Sequence, residues 1–530
     1  MRIIRLIVVV TLAGCSLPPE FDVLIKGGRV FDGSGEQSFI ADVAIKDGRI
    51  AAIGEMSDSA SLVLDGQGLY VAPGFIDLHN HAVFPVDDPD RNKVLSFLRQ
   101  GVTTVVAGPD GDGDYKVSEL FARLGRDGVG PNVMYTVGHN FVRNAAMGGA
   151  FDRPPTADEM QQMKDMVREA MLGGAVGLSS GLYYIPGAYA TTEEVIELGR
   201  VVAEYGGIYI SHIRDEGDFI YEDPEKDGLL DAVREAITIG KEAGITAIIT
   251  HIKAEGILGE SYWGKSVPVT GLIEEARSLG QSVYGDQYPY TASSTGLSDV
   301  TVPRWVQADS KMIERLRDPA LLPQIIEEMK RTVEGGLGPQ VIVISRFEEQ
   351  PEWEGMSLAD ISRMLEISPT EAALKLVLMG DPSIVVHSMS PDDVERFMSK
   401  PYIATSSDGG NPVFGQGLPH PRSYGAFPHK LREYVLKNQV ITMEFAIRAA
   451  TSLPAEILGL QDRGLIREGN VADIVVFDPE LISDKATFGD PHQYSVGISY
   501  LLIDGKIVID HDEFTGELAG KPLKSSINPK

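Results

Sequence analysis

The sequence predicts an α/β protein: a (β/α)8, TIM-type barrel, a small β-sandwich domain built from both chain ends, and an insertion before the last barrel strand. Three observations predict it. Short β-rich runs parted by Gly and Asp open and close the chain; apolar strand-length runs alternate with helix-period segments between them; and one late interval is far longer than a single crossover helix needs.

The first residues, Met1-Arg2-Ile3-Ile4-Arg5 and an apolar run from Leu6 to Ala13, read as a secretory leader too short to span a bilayer. It ends in Leu12-Ala13-Gly14-Cys15, which resembles the lipobox of bacterial lipoproteins, with residues 1–14 removed and lipid carried on Cys15. The expected location is the cell envelope, exported and lipid-anchored on the periplasmic side of a membrane or at the cell surface, with membrane contact only through that lipid. Cys15 is the single cysteine, so thiol nucleophiles, internal disulfides and cysteine metal ligands are excluded from the mature chain. Any metal must be held by His and carboxylate.

Residues 15–73 form the first part of the predicted β domain, with strands at Phe21 to Ile25, Ala41 to Ile45, Ile50 to Ile53 and Leu62 to Leu64. Residues 461–530 form the second part, with Ala472 to Phe477, Val496 to Ile503 and Lys506 to Ile509. Between them, 74–460 is the expected barrel. Its candidate strands are Phe75 to His79, Thr103 to Ala107, Val133 to Val137, Val176 to Ser179, Ile208 to His212, Ala247 to His251, Ser282 to Asp286 and Ile403 to Ser407. Helices are expected over Thr156 to Leu172, Thr192 to Tyr205, Leu229 to Ala243 and Leu272 to Leu279, opened or closed by Thr, Asp or Gly. The long interval, about 291–402, reads as an insertion over the barrel mouth, a lateral appendage being the alternative.

With 43% hydrophobic and 23% charged residues the chain is globular rather than disordered or fibrous. A net charge of −29 leaves no basic surface for phosphate backbones, so a nucleic-acid partner is excluded. Oligomeric state is not legible.

The strongest local signal is Pro73-Gly74-Phe75-Ile76-Asp77-Leu78-His79-Asn80-His81. Strand side chains repeat every second residue, so His79 and His81 point to one side and can share an ion. His212, His251 and Asp408 fall at other strand ends, and on a barrel such ends converge on one cavity.

These residues carry a family resemblance. The pattern Ala72 to His81, single histidines on two later strands, and Ser407-Asp408-Gly409 resemble the amidohydrolase superfamily. Within it, Gly177-Leu178-Ser179-Ser180-Gly181-Leu182, Ser211-His212-Ile213-Arg214-Asp215-Glu216-Gly217, Asp286-Gln287-Tyr288-Pro289-Tyr290 and His420-Pro421-Arg422-Ser423-Tyr424-Gly425 are similar to the N-acyl-D-amino-acid deacylases, the D-aminoacylases. One position departs. Where those enzymes follow the second barrel strand with a zinc-binding cysteine, this chain reads Ala107-Gly108-Pro109-Asp110-Gly111, so the resemblance carries the ligand role to Asp110, with Asp112 its rival. A carboxylate is a competent zinc ligand and can bridge two ions. It also withstands oxidation outside the cytoplasm better than a thiolate.

The resemblance implies zinc-dependent amide hydrolysis of N-acyl-D-amino acids. His212, His251 and Asp110 would hold the tighter Zn2+, and His79 and His81 a second, weaker divalent ion or the carbonyl oxygen, the metal count being left open. Asp408 would act as general base and then general acid. The substrate's free carboxylate calls for fixed cations and donors, for which Lys253, Arg422, and Tyr288 or Tyr290 are the candidates. Arg214-Asp215-Glu216 is expected to steady its strand or start a helix. His420 and His387 receive no role. Two competing readings are a cyclic-amide, dihydroorotase-like or dipeptide hydrolase, and a lipid-anchored binding protein without catalysis.

Overall fold

The computed structural model describes residues 20–57, 59–86, 88–217, 228–256 and 264–525. The leader and Cys15 lie outside them. Eight parallel strands form the central sheet: β1 (Phe75–Asp77), β2 (Val102–Ala107), β3 (Asn132–Gly138), β4 (Gly177–Gly181), β5 (Ile208–His212), β6 (Thr246–Ile249), β7 (Val283–Gln287) and β8 (Ile403–Thr405). They pair in chain order from β1 to β7, and β8 follows β7. β8 then meets β1 through Asp408 N–H donating to His79 O at 2.9 Å and His81 N–H donating to Gly409 O at 2.7 Å. That closes the barrel, and it does so directly beneath the candidate ligands.

Because helices cover the outside, the strands are buried on both faces; every residue of β2 is buried. The helices follow their capping signals. Ala157–Gly173 opens on a capping box in which Thr156 Oγ1 accepts from Glu159 N–H and Glu159 accepts from Thr156 N–H. Thr192–Glu204, Gly228–Ala243 and Ser266–Ser278 fall on or close to the expected spans. Among the described residues no helix is long and apolar enough to cross a membrane.

The chain ends share one nine-stranded sheet, in which Tyr70–Pro73 from the N-terminal part pairs antiparallel with Ile474–Phe477 from the C-terminal part. Its far hairpin turns back, Ile50 N–H donating to Asn470 O and Ala472 N–H to Gly48 O, so the sheet folds over a core that includes Val23, Ile45, Val71, Ile474 and Leu502.

The late insertion has its own core, from Leu297 to Val386, around a three-stranded antiparallel sheet of Ser293–Gly296, Ser383–Val386 and Ile342–Arg346. Its Ser293, Thr295, Asp299 and Arg346 line the cavity above the barrel, so it sits over the mouth. The helix Pro391–Met398 instead packs on the barrel, with Phe397 against Ile213, Leu229 and Ile403.

Candidate metal centre

Six side chains converge at the C-terminal ends of the barrel strands. His79 and His81 follow β1, Asp110 follows β2, His212 ends β5, His251 follows β6 and Asp408 follows β8. They form two overlapping ligand groups, His79, His81, Asp110 and Asp408 in one, and Asp110, His212 and His251 in the other. Asp110 belongs to both. Its Oδ1 lies 3.5 Å from His79 Nε2, 3.6 Å from His212 Nδ1 and 3.6 Å from His251 Nε2, while Oδ2 lies 3.3 Å from His81 Nε2. Asp112 is exposed and in neither group.

The backbone at the site is shaped for this. Asp110, His251 and Asp408 all have positive φ, 53°, 35° and 49°, a conformation that non-glycine residues adopt rarely and mainly at functional turns. The Asp110 turn is clamped by Ser179, whose Oγ donates to Gly108 O at 2.7 Å and accepts from Gly111 N–H at 3.2 Å.

A partner outside the cluster sets the His79 tautomer. Thr250 has one hydroxyl proton, which it gives to Asp286 Oδ2 at 2.7 Å, so at 2.6 Å it must accept from His79 Nδ1–H. His79 Nε2 therefore faces the cluster as a bare lone pair. Asp286 also accepts from His251 N–H and Ser406 Oγ. Glu216 lies 3.1 Å from His251 Nδ1, and the Lys253 ammonium, which can only donate, lies 2.7 Å from the same nitrogen. Thr250 and Asp286 carry no role in the sequence reading. Asp286 shares the strand-end position of the histidines, which is the signal that could have flagged it; Thr250, a neutral residue beside a histidine, carries none.

The donor set fits a divalent ion. Imidazole and carboxylate are ligands for zinc, and His79 Nε2 and Asp110 Oδ1 are buried with no hydrogen-bond partner, an arrangement that costs free energy unless a cation sits between them. Burial opposes ionisation of Asp110 and Asp408, yet His79 and His212 around the first, and Arg422 and His251 around the second, hold both carboxyls well below the usual range. Arg422 meets Asp408 Oδ2 at 2.7 Å and leaves Oδ1 facing His79 and His81 at 3.5 and 3.2 Å.

The cavity over this cluster has a volume of about 640 Å³, and both Lys253 and Arg422 line it. Lys253 is already paired, its Nζ 2.6 Å from Glu216 Oε1 and 2.7 Å from His251 Nδ1. Arg422 keeps further donors free for a ligand, and its backbone N–H is fixed by His420 Nδ1 at 3.0 Å while His420 Nε2–H donates to Ala292 O at 2.9 Å. Tyr288 is buried beneath the guanidinium, 4.7 Å from it, with its hydroxyl unpartnered. Tyr290 is not brought to the cavity. Its ring stacks on His429 and its hydroxyl reaches Asp484 at 3.4 Å, because β7 ends at Gln287 and strand alternation no longer directs the residues beyond it. Arg214 binds Glu235 through two nitrogens and lies off the cluster, as expected of a steadying residue. His387 packs on Phe488.

Comparison with known proteins agrees with this geometry. Residues 379–509 match a model described as amidohydrolase family. The chain is 33% identical to D-aminoacylase of Alcaligenes xylosoxydans xylosoxydans, over 95% of this chain and 97% of that protein. It superposes with a TM-score of 0.80 on N-acyl-D-glutamate deacylase of Bordetella bronchiseptica, solved with zinc and a phosphonate mimic of the tetrahedral intermediate, at 33% identity over 95% of this chain and 99% of that one. A D-aminoacylase structure described by its binuclear metal centre, with one-metal activation and second-metal attenuation, matches with a TM-score of 0.79 at 30% identity over 95% of this chain and all of that one.

Proposed function

The chain belongs to the D-aminoacylase family of amidohydrolases, and on that premise we propose that it hydrolyses N-acyl-D-amino acids to a D-amino acid and a carboxylate. The observation that carries the reading is the shared Asp110, which joins two ligand groups beside Asp408 in a cavity that also holds Arg422 and Lys253.

The ligands His212, His251 and Asp110 suit one zinc, and His79 and His81 with Asp110 suit a second, weaker ion. When bound there, zinc lowers the pKa of water and polarises the amide carbonyl. This chain's residues supply the rest. Arg422, with Lys253 alongside, draws in the free carboxylate of the amino acid and fixes which face of the amide meets the cluster. Asp408, held ionised by Arg422, takes the proton of the attacking water on Oδ1 and returns it to the departing amine nitrogen, which leaves poorly unless protonated. Thr250 keeps His79 in the ligating tautomer throughout.

The test is a panel of N-acetyl amino acids of both hands given to the mature protein. Release of D-amino acids at rates well above their L counterparts is expected; preference for the L series overturns the stereochemical reading. The lipobox-like Leu12 to Cys15 supports a place in the cell envelope, exported and anchored through lipid on Cys15. Cys15→Ser should then move the protein from the membrane fraction to the soluble one, and an unchanged distribution rejects the anchor.

A further inference from the structure

We propose that the substrate's acyl group is an aliphatic chain of medium length, lodged in a second cavity that opens beside the one lined by Arg422 and Lys253. The inference rests on the deacylase reading and specifies its substrate class. The cavity, of about 680 Å³, opens beside the first and shares His81, Val83 and Asp112 with it. Its walls come from the segments after β1 and β2 and from β3, whereas Lys253, Tyr288 and Arg422 follow β6, β7 and β8. A linear N-acyl amino acid whose amide lies at His81 and Asp408 must send its two ends in opposite directions. With its carboxylate at Arg422, its acyl carbon chain points along this second cavity.

The lining matches a hydrocarbon. Val83, Phe84, Val86, Pro109, Leu120 and the Tyr135 ring form an apolar wall; His81, Asp112, Asp114 and Arg123 also line the cavity, and the charged Lys116, Glu119 and Arg126 are exposed at its rim. Val83 and Val86 are 47% and 77% exposed, apolar surface that a bound chain would remove from water. Arg123 is held off the floor by donating to Phe84 O at 2.6 Å, and Tyr135 OH accepts from Asp114 N–H, so these polar groups are occupied.

The experiment measures kcat/KM for one D-amino acid carrying acetyl, butyryl, hexanoyl and octanoyl groups, all below micelle-forming concentrations. Burial of each added methylene should raise kcat/KM about two- to fourfold, roughly 60- to 4,000-fold over the six methylenes from acetyl to octanoyl. Val86→Asp and Leu120→Glu should flatten that slope. Because the readout is the slope within each protein, damage common to all chain lengths cancels, and the exposed position of Val86 keeps its replacement clear of the core. A flat or falling series in the parent protein, with D-acetyl substrates still hydrolysed, overturns the acyl cavity alone; so does a slope unaltered in both variants. Hydrolysis at no chain length overturns the deacylase reading and this inference with it.

Discussion

Asp110 stands where the resembled enzymes carry a cysteine, and its surroundings show why a carboxylate works there. Oδ1 reaches His79, His212 and His251 and Oδ2 adds His81, so one carboxylate touches both ligand groups. Asp408 is the other residue on which the chemistry turns. Its Oδ1 faces His81 Nε2 at 3.2 Å inside the cluster, and Arg422 on Oδ2 keeps it charged without blocking Oδ1. Asp408→Asn keeps the shape but cannot take a proton, so kcat should fall about 10²- to 10⁴-fold. Steady-state rates read beside zinc content check this; a variant with bound zinc and near-normal kcat contradicts the base assignment. At this scale the sequence pointed to the side chains that the structure brings together, since His-x-His and three polar strand ends share one register. It hid Tyr290's direction and the Thr250–Asp286 relay, because both depend on backbone beyond a strand's last paired residue and on neighbours distant in the chain.

The elements were legible where periodicity was strong. Strands β2, β3, β5 and β6 are rich in apolar or β-branched residues, and all eight barrel strands lie within a few residues of their expected spans. The insertion's sheet was not, since Ser293-Ser294-Thr295-Gly296 has no apolar alternation and is a strand only because Ser383–Val386 pairs with it. One element carries a measurable cost. Lys430, just after the helix Arg422–His429, is buried against β8 with Thr405 Oγ1 at 2.8 Å, and burial pushes its ammonium down to about 7. The folded pKa is below the unfolded one, so between these values the unfolded chain binds more protons and stability rises with pH; the penalty is complete below about 7. Lys430→Met removes it. Denaturation of both proteins should show the variant more stable at pH 7, on the order of a few kcal/mol less whatever the Thr405 bond contributes, with the gap closing toward pH 10. A gap independent of pH rules the explanation out.

At the scale of the molecule, three parts divide the work. The barrel places ligands from strands far apart in sequence around one point, the insertion roofs the cavity, and the sheet shared by the chain ends ties the start of β1 to Ile474–Phe477. The chain-end sheet thus holds the segment that leads into β1, and His79 and His81 follow β1. The division into chain-end sheet, barrel and late insertion could be read from where strand-rich and helix-alternating segments begin and stop. The roofing position of the insertion could not, because nothing in its own composition distinguishes a roof from a lateral attachment.

The central claim is that these six side chains act through a divalent ion they hold between them. The most direct measurement strips metal from the pure protein with a chelator, then titrates zinc back while hydrolysis of an N-acetyl-D-amino acid is followed. The account predicts no turnover in the stripped protein and recovery in step with zinc bound. Undiminished turnover in verified metal-free protein would contradict it.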